Sequence, residues 1–102
     1  MASKKEYLIY ILDQLSELGE VSYRAMMGEY ILYYRGRIFG GIYDDRLLVK
    51  NVASAAAFVG EVRYEIPYEG AKPMIFIDEV DNRDYLCDLV SAMYDDLPEP
   101  RK

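Results

Sequence analysis

The chain predicts an α+β fold in which helices from both ends of the sequence cover an antiparallel sheet. Three observations carry that expectation. Apolar residues recur at helical spacing from Leu8 to Leu18 and again from Leu86 to Leu97, whereas between Gly19 and Lys50 their period drops to two. Breaks at Gly28, Arg35-Gly36 and Asp44-Asp45 cut that middle stretch into strand-length pieces. A further apolar cluster, Met74–Asp78, follows a loop-like segment bounded by Pro67 and Pro73. The resulting order is helix, three or four strands, helix, one or two strands, helix.

The first helix spans about Lys4 to Leu18. Ser3 and Glu6 fit a capping box at its start, Leu8, Ile11, Leu12, Leu15 and Leu18 form its apolar stripe, and Gly19 is a natural stop. Its polar face is not lysine-rich, which argues against a helix lying on a membrane. Val21–Met27 reads as a short strand or an extended entry into a meander. The meander strands are then about Tyr30–Tyr34, Ile38–Tyr43 and Leu47–Lys50.

Two-residue loops at Arg35-Gly36 and Asp44-Asp45 would set a register. Tyr34 pairs with Arg37, Leu32 with Phe39 and Tyr30 with Gly41; Tyr43 pairs with Arg46, Gly41 with Leu48 and Phe39 with Lys50. Opposed residues share a face. One face then collects Ile31, Tyr33, Ile38, Gly40, Ile42, Leu47 and Val49, and is assigned to the helices. The other collects Tyr30, Leu32, Tyr34, Arg37, Phe39, Tyr43, Arg46, Leu48 and Lys50, an aromatic and basic mixture of the kind enriched at interfaces. Neither turn has the Asn-Gly or Asp-Gly pattern, and a slip of one residue exchanges the faces. The mid-strand pair Gly40-Gly41 marks a bulge or a close approach to the backbone, by a helix side chain, by Tyr33 or by a ligand.

Val52–Val59 reads as an alanine-rich helix with Asn51 as its cap and Gly60 as its stop. Arg63–Ile66 is a short strand ended by Pro67. Asp81 or Asn82 caps the last helix, Leu86, Leu89, Val90, Met93 and Leu97 form its stripe, and Pro98 ends it. Glu99–Lys102 reads as a frayed tail.

Composition narrows the function. With 102 residues and 52% of them hydrophobic, the chain fits one ordered domain, residues 1–102. Its apolar runs fall short of the ~18–20 residues that cross a bilayer. Charges at Asp13 and Glu17 and the lack of a small-residue cleavage site argue against a signal peptide, and the single Cys87 cannot make an internal disulfide, so a cytoplasmic location is expected. Residues 1–50 carry seven basic and seven acidic side chains, residues 51–102 five and eleven, so the whole net charge of −6 lies in the second half. Autonomous nucleic-acid binding is therefore not the leading expectation, since phosphates must be neutralised; direct nucleic-acid binding through Arg24, Arg37, Arg46 and Lys50, or sensing of a small molecule or anion near Gly28 and Gly40-Gly41, stands as the alternative.

Catalytic groups are scarce. The chain has no histidine, Cys87 sits between the acidic Asp84 and Asp88, and no GxSxG or phosphate-loop pattern occurs. A turn accounts for Asp44-Asp45, while the run Asp78, Glu79, Asp81 and Asp84 suits a helix start and lacks the alternation and glycine of a calcium loop. No catalytic, metal or cofactor residues are assigned, and a non-enzymatic protein is expected. The candidate site is a surface of Arg24, Tyr30, Tyr34, Arg37, Tyr43, Arg46 and Lys50, able to hold a protein partner or an anion, or a second copy of the chain. Pairing of these cations with Glu20, Glu29 and the acidic second half is the competing account.

Residues 24–30 (RAMMGEY), 35–39 (RGRIF), 44–50 (DDRLLVK), 67–74 (PYEGAKPM) and 97–102 (LPEPRK), in that order and spacing, resemble the N-terminal domain of TfoX/Sxy proteins, bacterial regulators of natural competence. Met27 stands where many members have phenylalanine. The resemblance implies a two-layer, secretion-chaperone-like fold. It also implies a regulatory role beside a DNA-binding transcription factor, and it supplies no catalytic residues.

Overall fold

The protein is described here by a computed structural model covering residues 3–99. Its elements are α1 (Lys5–Gln14), β1 (Val21–Met26), β2 (Glu29–Tyr34), β3 (Arg37–Ile42), β4 (Leu47–Val49), α2 (Ala53–Val59), β5 (Tyr64–Glu65), β6 (Met74–Ile77) and α3 (Arg83–Met93), with a 3-10 turn at Tyr94–Asp96. The strands form one antiparallel sheet in the order β1-β2-β3-β4-β6-β5. The architecture is therefore α+β, with a six-stranded antiparallel sheet and three helices. Residues 100–102, expected as part of the frayed tail, lie outside the described residues.

One core joins the helices to one face of the sheet. Leu8, Ile11 and Leu15 of the N-terminal segment, Ala55 of α2, and Leu86, Leu89, Val90 and Met93 of α3 pack on Leu32, Phe39, Ile42, Leu47, Val49, Ile75 and Ile77. The expected stripes of the first and last helices are thus the ones buried. Their removal from water, at ~25 cal/mol per Å², is the main favourable term for a domain of this size.

The three hairpin loops Met27-Gly28, Arg35-Gly36 and Asp44-Asp45 each hold both residues at positive φ, between 51° and 86°, the pattern of a type I′ turn. Met, Arg and Asp are not first choices there, and distant partners compensate. Arg35 N–H donates to the Glu20 carbonyl at 2.9 Å and its guanidinium pairs with the Glu20 carboxylate. The Asp44 amide donates to the Glu29 carboxylate at 3.1 Å, and the Asp45 amide to the Ser3 hydroxyl at 3.1 Å.

The same long-range logic replaces two local caps. Ser3 does not cap the first helix; its hydroxyl donates to Glu29 at 2.6 Å, and Lys4 is the N-cap without a side-chain cap bond. Asp45 accepts the Lys4 amide instead, at 2.8 Å, bringing a negative charge to the positive end of α1. Asn51 does not cap α2 either. The amide of Ser54 is taken by the Asp96 carboxylate, at 3.0 Å, from the far end of the chain. Only α3 follows its local rule, with the Asn82 side chain accepting from the Tyr85 amide at 3.0 Å. The first helix also stops at Gln14 rather than at Leu18.

The main correction concerns β2. Tyr34 pairs with Arg37 as expected, but the register shifts at Leu32/Tyr33, so Leu32 faces Gly40 and Tyr30 faces Ile42. Phe39 is the extra residue of a β-bulge. The second hairpin keeps its expected pairs: Gly41 lies opposite Leu48, and Tyr43 and Arg46 exchange backbone hydrogen bonds. One inserted residue therefore reverses the faces of β2 and the start of β3 while leaving β4 alone. Tyr30, Leu32, Tyr34, Arg37 and Phe39 turn toward the helices, and Ile31, Tyr33 and Ile38 turn away.

Gly40 is fixed by this geometry. A methyl group there would lie 2.2 Å from the Leu48 carbonyl oxygen, so only a bare backbone lets β3 and β4 approach so closely. At Gly41 a methyl would lie 2.6 Å from the Tyr43 ring and 2.7 Å from the Tyr30 carbonyl oxygen. Neither a helix side chain nor Tyr33 fills the glycine gap; the neighbouring strand and Tyr43 do.

Candidate functional site

The seven residues expected to share one surface are divided between the two faces. Tyr30 and Tyr34 pack against the helix-side core. The Tyr34 ring meets Tyr94 edge-on at 5.5 Å. Arg37 lies over the same Tyr94 ring at 4.3 Å, and its Nη1 donates to the carbonyls of Tyr94 and Leu97 at 3.2 and 3.3 Å. This arginine fastens the end of α3 to the sheet, and its Nε is buried without a partner. Tyr30, Tyr34 and Arg37 are therefore parts of the fold, not of an outward surface.

The remaining four stay on the face away from the helices. Arg46 is committed there to Glu65, at 2.8 Å, and to the Tyr43 carbonyl. Arg24 is exposed on β1, directly opposite Ile31. Tyr43 and Lys50 flank a groove.

That groove forms because the segment 67–73 crosses the open face of the sheet. Pro67 is buried, and the Tyr68 ring packs 6.1 Å from Tyr43. Between loop and sheet lies a cleft of about 580 Å³. Its floor is Ile31 and Ile38, side chains the bulge turned outward, together with the Gly40 backbone. Tyr43, Tyr68 and Pro73 form walls, and Lys50 and Lys72 complete the lining. No aspartate or glutamate lines it. Among the described residues neither lysine, nor Arg24 beside it, makes an ion pair.

Burial pushes the Tyr43 phenol above its ordinary value, with Tyr68 and Glu29 adding to the effect, so the groove wall stays neutral at physiological pH. The only thiol lies elsewhere. Cys87 is half-buried on α3, donates to the Gln14 carbonyl at 3.6 Å, and is held in its thiol form by burial and by Glu17. For binding, the groove offers apolar area, two aromatic walls and positive charge that no ion pair among the described residues takes up.

Reading the chain alone missed Tyr68, Lys72 and Pro73. The available signal was the loop itself, which places an aromatic and a lysine between two prolines around Gly70, but nothing local says which face such a loop covers.

The model of the TfoX N-terminal domain matches residues 13–95. The chain belongs to the TfoX N-terminal domain family. A relative from Spirochaeta aurantia, an uncharacterized 12.7 kDa protein in the trpE 5' region, is 29% identical over 102 residues, which is 99% of this chain and 89% of that protein. Within this TfoX-type domain, the groove is built from the matched region, since Met26 to Met74 all fall inside it.

Proposed function

We propose that this TfoX-type chain is a non-catalytic regulatory domain that holds an acidic, apolar-anchored segment of a protein partner in the groove beneath the 67–73 loop. The observation that carries the reading is the lining. Lys50, Lys72, Tyr43 and Tyr68 converge there with no carboxylate, on a chain whose net charge is −6. Segregation of charge in this way selects partners of opposite sign, and aromatic groups beside cations are the usual anchors of an interface. The family supports a regulatory role. Its resemblance to competence regulators suggests a cytoplasmic DNA-binding transcription factor as the partner. A duplex itself suits the acidic chain poorly.

Fluorescence anisotropy with two labelled extended peptides tests this, one acidic and apolar, the other with its acidic residues replaced by lysine. The acidic peptide should bind, more weakly as salt rises, and Lys50→Glu/Lys72→Glu should weaken it by about tenfold or more with an unchanged melting temperature. Equal binding of both peptides would sink the reading, as would an indifferent double variant. Retention on duplex DNA at ~50 mM salt, lost in the same variant, would favour nucleic acid in its place.

A further inference from the structure

The two edges of the sheet are treated differently by the fold. β5 is two residues long, is followed closely by Pro67, and has Arg63 folded over the neighbouring Phe76 at 4.7 Å. A short strand, a proline and a covering charge are the usual protections of an edge. β1 has neither the shortness nor the proline. It runs for six residues, is exposed from Ser22 to Met26, contains no proline, keeps an unbroken register with β2 and carries one charge, Arg24.

Which backbone groups of β1 are free follows from the hairpin. A two-residue loop makes Met26 and Glu29 a hydrogen-bonded pair, and six residues away the Arg35 amide donates to the Glu20 carbonyl. By antiparallel alternation, the backbone groups of Ser22, Arg24 and Met26 point at β2, and those of Val21, Tyr23 and Ala25 point outward. Each of these three residues therefore offers one N–H and one C=O at the edge.

We propose that β1 pairs antiparallel with β1 of a second copy, about a two-fold axis through Tyr23, to make one continuous sheet. The register is self-complementary. Tyr23 meets Tyr23, and Val21 meets Ala25 twice, so all three N–H and three C=O groups of each copy are used, in six hydrogen bonds. Arg24 falls opposite Ser22 of the other copy. A pairing centred on Arg24 would instead oppose two guanidinium groups, which is destabilising in a cross-strand pair. On the helix side, an apolar groove of about 510 Å³ between Leu12, Leu15, Val21 and Tyr23 runs beside the edge. Tyr23, 43% exposed in the single chain, is covered there by its symmetry mate. This pairing uses neither Lys50 nor Lys72 and stands independently of the peptide groove.

Cysteine cross-linking tests the edge and its register together. Hydrogen-bonded antiparallel pairs have Cα atoms ~5.5 Å apart, within the ~4.4–6.8 Å range of a disulfide. Tyr23→Cys should therefore give a covalent dimer on mild oxidation. Ala25→Cys should not, because the two copies of residue 25 are offset by four positions, ~13 Å along the strand. Tyr23→Pro removes an outward N–H while sparing the ladder to β2, and should turn a sedimenting dimer into a monomer with its melting transition retained. Cross-linking at Ala25→Cys equal to that at Tyr23→Cys would overturn the proposal. So would a wild-type chain that sediments as a monomer at high micromolar concentration.

Discussion

The two hairpins that share β3 are made from the same parts and end differently. Each closes through two residues at positive φ, and each carries alternating apolar side chains. In the β3–β4 hairpin the alternation runs unbroken, so Ile42 and Leu47 share the buried face. In the β2–β3 hairpin, Phe39 is inserted without a partner and the alternation reverses across it. The lesson is that a sheet's inside and outside are set by a count of residues, not by composition. Tyr30, Tyr34 and Arg37 have the look of an outward patch and are consumed by the fold, while Ile31 and Ile38 become the floor of an open groove.

Neighbours on β2 should show the contrast most strongly. Leu32→Ala, at a fully buried position, should cost roughly 2–5 kcal/mol, and the adjacent Ile31→Ala distinctly less. Chemical denaturation of the two variants decides it; the reverse order would mean that β2 faces the other way. Gly40→Ala comes next. The backbone contact with Leu48 leaves no room for the methyl, so the bulge must deform, and a loss of about 1–3 kcal/mol is expected in the same measurement.

Smaller effects separate the two arginine environments. Arg37→Ala gives up its stacking on Tyr94 and two carbonyl contacts, and should lower stability by about 1–2 kcal/mol, whereas Arg24→Ala on the exposed edge should stay within about 0.5 kcal/mol. Melting curves of both would break the distinction if the values coincided. The mildest test is alkaline pH. Tyr43 has its phenol raised above 10.0 in the folded state, so its contribution is complete below pH ~10 and fades as pH climbs through the folded value. Tyr43→Phe should flatten part of that alkaline decline in melting temperature; Tyr7, Tyr10, Tyr85 and the Cys87 thiol, raised as well, contribute to what remains.

Much of the architecture was legible in the chain. Leu8, Ile11, Leu86 and Val90 declare their helices by spacing, and Ile42 and Leu47 declare a hairpin, because each pattern records burial against a single neighbouring layer. The helix starts were less legible. Ser3 looks like a cap and Asn51 like another, yet Asp45 and Asp96 supply the carboxylates, from 41 and 42 positions away. The groove was least legible. Its wall residues Tyr43 and Tyr68 meet only after the loop has crossed the sheet, and its floor exists only because Phe39 shifts the register.

By itself the amino-acid order determined the sequence of elements, the turns and the sets of apolar side chains able to form a core, since these depend on steric preference and on periodicities of 3.6 and 2. The tertiary structure alone decided which face of β2 those sets would occupy, which carboxylates would cap which helices, and where unpaired lysines would collect. Those choices depend on contacts between distant segments. A single bulged residue is enough to tip the first of them, because adjacent strand positions point in opposite directions.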